Sequence, residues 1–162
     1  MINIHCFKAF QNYYKIEPLP EKEIESKYLW TAQRFKADNC SCVTFIHHQT
    51  YFYVTLFDLK REDLNELQKL FVKELINHLE KYIVLEKDDI GVIKNYCYKL
   101  SFYEKSNDNK VNTMLSNIVT VIKGLNFWDF QNENQVSVKE EYDEFELFFD
   151  KKVCEKFLNS IR

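Results

Sequence analysis

Two glycines in 162 residues, Gly91 and Gly124, stand alone and far apart. Loops that cradle phosphate need several glycines, because the backbone must approach closely or adopt positive φ. Their scarcity excludes a P-loop, a dinucleotide-binding fingerprint and a Gly-x-Ser-x-Gly nucleophile elbow. The two prolines, Pro18 and Pro20, sit together, and no Pro/Gly/Ser-rich linker or internal repeat divides the chain. One domain over 1–162 is therefore expected. No run of about 18 apolar residues is present, which argues against a membrane partner. Met1 to Cys6 lacks the basic and apolar regions of a secretory leader. The five cysteines are odd in number and scattered, so cytosolic thiols are expected rather than a disulfide framework. Together these place the protein in the cytoplasm, that of the host cell if the gene is carried by a phage.

A basic surplus is also missing. Lys and Arg number 22 against 25 Asp and Glu, for a net charge of −3. A nucleic-acid binder normally shows a basic face, so this balance argues against nucleic acid. What is abundant is aromatic: 14 Phe and 10 Tyr supply rings for a core. The bias toward Asn, Lys, Ile, Tyr and Phe fits an AT-rich genome, bacterial or phage.

Residues 42–83 carry the clearest structural signal. Val43, Phe45 and His47 alternate with Thr44 and Ile46. Phe52, Val54 and Leu56 then alternate with Tyr51, Tyr53, Thr55 and Phe57. Both runs are rich in β-branched and aromatic residues and predict a hairpin covered on both faces. Its turn lacks Asn-Gly, so a two-residue primed turn is not favoured. Asp63-Leu64-Asn65-Glu66 matches a capping box, and Leu64, Leu67, Phe71, Leu75, Leu79 and Tyr82 form the stripe of an amphipathic helix. Val111, Met114, Leu115, Ile118, Val121, Ile122 and Leu125 form a second stripe, with Gly124 expected as its C-terminal cap.

Shorter elements are expected around these. They are a strand at Ile2 and Ile4, a helix over 7–16 and another over 88–96. A strand through Tyr98, Leu100 and Phe102, a closing hairpin at 136–138 and 145–147, and a terminal helix through Val153 and Ile161 complete them. Residues 21–38 read as a loop or short helix anchored by Trp30. Strands and helices mix without regular βαβ alternation. The fold class predicted is α+β, a mostly antiparallel sheet packed by two long amphipathic helices with a C-terminal strand/helix extension.

Each candidate for chemistry has a plainer reading beside it. Cys40 and Cys42 with His47 and His48 are the nearest approach to a metal set. A structural zinc site needs matching pairs, and the second is missing. No metal ligands, cofactors or catalytic residues are therefore assigned. Cys6 beside His5, and Cys97 or Cys154 with a distant His, lack any local nucleophile signature and read as buried thiols. Glu140, Glu141, Tyr142, Asp143, Glu144 and Glu146 make an acidic run suited to a protein partner with a basic surface. The plainer reading is an edge strand guarded by charge. Asn107, Asn109 and Lys110 precede the second long helix and form a possible anion or ligand loop; ordinary helix capping is the alternative.

The order of elements resembles an uncharacterised bacterial and phage family, the domain of unknown function numbered 6933. The matching residues are Ile2-Asn3-Ile4-His5-Cys6, Lys8, Trp30, Val43 to Thr50 with Tyr51 onward, and Asp63-Leu64. Leu67, Leu70-Phe71, Leu75, Ser106-Asn107 and Met114 to Ile118 continue it. The resemblance covers about residues 1–125 and makes 126–162 an extension. The family loop commonly carries Thr-Asn-x-Arg-Ser and later Met-Asn-Asp. This chain has Ser106-Asn107-Asp108-Asn109-Lys110 and Leu115-Ser116-Asn117 instead. The family brings no activity with it.

The reading that results is a non-enzymatic protein-interaction module, a small inhibitor or regulator encoded by a phage or mobile element. One alternative is a small hydrolase acting on nucleic acid or a nucleotide through His47 or His48 with carboxylates, or through Lys110. The other is a nucleic-acid-binding protein.

Overall fold

The alternating apolar runs build a five-stranded sheet with helices on both faces, in a computed structural model that describes residues 1–20, 22–37, 40–105, 108–129 and 151–162. The strands are β1 (Ile2–Cys6), β2 (Leu29–Ala37), β3 (Cys40–His47), β4 (Tyr53–Leu56) and β5 (Leu100–Tyr103), in the order β4-β3-β2-β1-β5. The α+β class holds, and its pairings divide evenly. β2–β3 and β3–β4 are antiparallel, whereas β1 runs parallel to both neighbours. The β1–β2 pair is parallel because helix α1 (Lys8–Tyr14) carries the chain from the end of β1 back to the start of β2. That crossover lies in a region where no strand was expected.

Strand β2 is the main departure from expectation. Residues 21–38 read as loop or short helix because Gln33, Arg34 and Lys36 break the apolar pattern. The neighbours absorb that polarity. The Arg34 guanidinium lies 3.6 Å over the Tyr13 ring of α1, which offsets part of the penalty of a cation beside the core. Trp30, the expected anchor, is fully buried.

Pleating sorts the sheet into two faces. Ile4, Trp30, Ala32, Phe45 and Val54 fall on one by their register. Helices α1, α2 (Leu67–Glu80) and α5 (Lys151–Ile161) pack on that face through Phe10, Phe71 and Phe157. Helix α3 (Lys87–Tyr96) sits against α2 and α5. The opposite face carries Asn3, His5, Thr31, Thr44 and Thr55, all buried polar groups. Helix α4 (Asn109–Asp129) covers it, crossing β2 and β3. The two long helices predicted from the apolar stripes thus lie on opposite sides of the sheet.

Two helix ends differ from the pattern read in the sequence. Asp63 to Glu66 lies in a 3-10 turn, Glu62–Glu66, and the α-helix proper begins at Leu67. The Asp63 carboxylate reaches back to the Lys60 amide at 2.8 Å, so it is used one turn before the helix. Gly124 is interior to α4 rather than a cap, and a Cβ there would meet nothing within 4 Å. Without a clash or a positive φ, glycine at this point does not stop a helix. The hairpin expected at 136–138 and 145–147 lies outside the described residues. No helix among the described residues is long and apolar enough to cross a membrane.

Candidate functional site

His47 and His48 are sequence neighbours at the end of β3, so their side chains leave on opposite faces. Each enters a different network. His47 points into the ring-rich core, 5.0 Å from Trp30 and 5.2 Å from Phe157 by ring centroids. Its Nε2 donates to the Lys27 carbonyl at 3.0 Å, which leaves Nδ1 to accept from the Thr50 hydroxyl at 2.8 Å. The same carbonyl accepts from Tyr96, whose hydroxyl in turn accepts from Trp30 Nε1 at 2.9 Å. His47 therefore clamps the turn before β2 to the turn after β3. Burial among the rings pushes its pKa down to about 4.

His48 belongs to the polar face. Its Nε2 lies 2.8 Å from the Thr31 hydroxyl and its Nδ1 3.6 Å from Asp108 Oδ2. The second distance is an electrostatic contact, longer than a hydrogen bond. A carboxylate only accepts, so Nδ1–H faces Asp108 and Nε2 accepts from Thr31. The His5 ring meets His48 edge-on at 5.9 Å and Tyr103 at 6.3 Å. Burial lowers the His48 pKa to about 4, opposed by Asp108 and assisted by His5. His5 and Tyr103 lie near the ends of parallel neighbours whose connections diverge, β1 into α1 on one face and β5 into α4 on the other. Ligands of open parallel sheets favour such points.

Asp108 has a second task. Its Oδ1 accepts from the amides of Lys110 at 3.0 Å and Val111 at 3.1 Å, an N-terminal cap for α4. The carboxylate thus takes the helix amides that the Asn-rich loop was expected to offer an anion. Asp108→Ala is expected to lower stability by about 1 kcal/mol, whereas Asp108→Asn retains most of the cap. Thermal unfolding of the two variants checks this.

The other sequence candidates separate. Cys40 and Cys42 lie toward the far end of β3 from His47, about 23 and about 17 Å away at ~3.3 Å per strand residue. The suspected metal set does not converge. Among the described residues no group of three or more His, Cys, Asp or Glu is placed to hold a metal ion. Cys6 faces away from His5 on the same strand, and its thiol lies 3.6 Å from the Ile4 carbonyl. Burial raises the Cys6 thiol pKa and pushes that of Cys97 up to about 12, so neither is a nucleophile at neutral pH. The run Glu140, Glu141, Tyr142, Asp143, Glu144 and Glu146, and Asn107, lie outside the described residues. Asn109 opens α4, and the Lys110 ammonium sits 4.7 Å over the Tyr51 ring.

That ring borders a cleft the sequence did not announce. Thr50, Tyr51, Tyr53, Met114, Asn117, Ile118 and Val153 enclose about 320 Å³ between the β3–β4 turn, α4 and α5. Lys110, Met114 and Ile118 recur every four residues, so one face of α4 supplies both the cation and the apolar wall. The spacing was visible, but its partners come from two other elements.

A family model described as a domain of unknown function, DUF6933, matches residues 3–151. The chain belongs to this family. The match runs well past residue 125, where the resemblance read from motifs ended, and stops at the first residue of α5. No curated protein and no solved structure matches the chain. Within the family match lie His5, Thr31, His48 and Asp108, together with most of the cleft.

Proposed function

We propose that this member of the DUF6933 family is a non-enzymatic protein-interaction module, a small inhibitor or regulator carried by a phage or other mobile element. It acts in the host cytoplasm on a protein with a basic surface. One observation carries the non-enzymatic part: the groups best suited to catalysis are used inside the fold. Both ring nitrogens of His47 and of His48 face protein partners, and Asp108 caps α4. The acidic run from Glu140 to Glu146 supports the partner's charge, because complementary charge steers association. Tyr142 adds an aromatic contact of the kind that anchors interfaces. The composition of an AT-rich genome supports the mobile-element setting.

Charge reversal tests the surface. With Glu140, Glu141, Asp143 and Glu144 changed to Lys, a partner captured from the native host should dissociate about tenfold more readily at low salt and lose most of its salt dependence. Unchanged capture of every partner would sink the acidic-surface reading.

A second reading, a hydrolase acting on nucleic acid or a nucleotide, has one observation in its favour. Thr31, His48 and Asp108 line up in the order of a hydroxyl nucleophile, base and orienting carboxylate. Thr31 is completely buried, so substrate has no path to its hydroxyl in this conformation. Hydrolysis of a nucleotide or oligonucleotide panel that vanishes in both Thr31→Val and His48→Gln would restore this reading.

A further inference from the structure

We propose that the cleft between the β3–β4 turn, α4 and α5 is a binding site for a small aromatic carboxylate, with Lys110 as its counter-charge. This goes beyond the protein-interaction reading and does not depend on it. The volume, about 320 Å³, falls at the lower end of the range for small-molecule sites. The wall is built from two tyrosine rings, a methionine and two branched aliphatics, with Thr50 and Asn117 as the polar members. Rings and a thioether favour a flat aromatic body. Thr50 is already tied to His47, which fixes the floor.

Charge complementarity names the other end of the ligand. Lys110 lies one helical turn before Met114 on the same face of α4. Its ammonium sits over the Tyr51 ring, and that ring lines the cleft. Lys110 forms no ion pair with a described residue. The neighbouring Asp108 carboxylate is directed to the α4 amides and to His48. Tyr51 itself is held at φ 59, a left-handed conformation uncommon for an aromatic residue. The turn that holds Tyr51 this way presents its ring both to the cleft and to the Lys110 ammonium.

The test uses 1-naphthoate as probe with the full chain, followed by NMR of the Met114, Ile118 and Val153 methyl groups. Saturable shifts confined to those methyls are expected. Neutral 1-naphthalenemethanol should bind about fivefold more weakly, the ratio expected of one surface ion pair. Lys110→Met should abolish that preference while leaving the fold unchanged, since its side chain is exposed. Met114→Trp should fill the cleft and remove naphthoate binding. Octanoate binding as tightly as naphthoate would overturn the aromatic part of the proposal. Absence of saturable shifts, or a carboxylate preference that survives Lys110→Met, would overturn the site.

Discussion

Phe157→Ala is expected to lower stability by about 3–5 kcal/mol, the range for removing a ring from a packed core. Phe157 lies on α5, eleven residues from Lys151 to Ile161 near the end of the chain. Its ring stacks on Phe52 at 4.6 Å and meets Trp30 and His47 edge-on at 5.6 and 5.2 Å. Tyr96 closes the same cage. Four elements thus lose contacts at once: β2, β3, the β3–β4 turn and α3. The gap cannot collapse, because the polar clamp of Trp30, Tyr96, His47 and Lys27 holds its other walls in place. Cys154 and Leu158 are buried beside it. Arg162 ties the helix end to Asp89 at 2.5 Å, and this partner, with the Glu86 amide, holds the Asp89 carboxyl below its usual range. Equilibrium denaturation of the wild type and Phe157→Ala measures the loss directly. A change under about 1 kcal/mol would mean that α5 is peripheral.

The second large effect is acid destabilisation through the buried histidines. The pKa of both His47 and His48 lies near 4 in the folded chain, against about 6.5 for a free side chain. The unfolded chain therefore binds protons more readily than the folded one. Stability is at its full value above pH 6.5 and is lost as pH falls toward 4. Fully developed, the loss is on the order of 3 kcal/mol for each histidine. Stability measured from pH 7.5 to 4 should fall by several kcal/mol. His48→Gln should flatten that slope by about one proton relative to the wild type. The comparison with the variant separates the histidine contribution from carboxylates such as Asp89, whose own loss begins at lower pH.

How much of this was legible depends on where each residue's partners lie in sequence. The stripe Leu67, Phe71, Leu75 and Leu79 was readable because a helix face repeats every three or four residues, and all four are buried. The β3–β4 hairpin was readable for the same local reason, down to a turn longer than two residues. Strand β2 was not. Its Arg34 and Gln33 break the apolar pattern, while α1 and α4 pack against the strand from elsewhere in the sequence and leave no local trace. The extent of α4 past Gly124 was hidden because glycine marks an end only when it adopts positive φ.

The site was half legible. The pair His47-His48 drew notice, but as ligands for cysteines that lie at the other end of the same strand. Strand alternation alone sends the two rings to opposite faces. What each then meets, Trp30 and Phe157 or Thr31 and Asp108, depends on elements 17 to 110 residues away. The Asn-rich loop was singled out through Asn107, Asn109 and Lys110, whereas it is Asp108 of the same stretch that caps α4 and faces His48. The cleft joins a turn, a helix face and a C-terminal helix, a juxtaposition that no local pattern records.

The His47 and His48 side chains are buried in the scaffold with pKa values near 4, and so are neutral at physiological pH. An NMR titration of the His47 and His48 ring protons from pH 8 to 4 tests it most directly. Both rings should stay neutral through pH 6 and begin to charge only as the pH nears 4, together with loss of the fold. Either ring titrating near 6.5 in the intact protein, free to exchange protons with solvent, would contradict it.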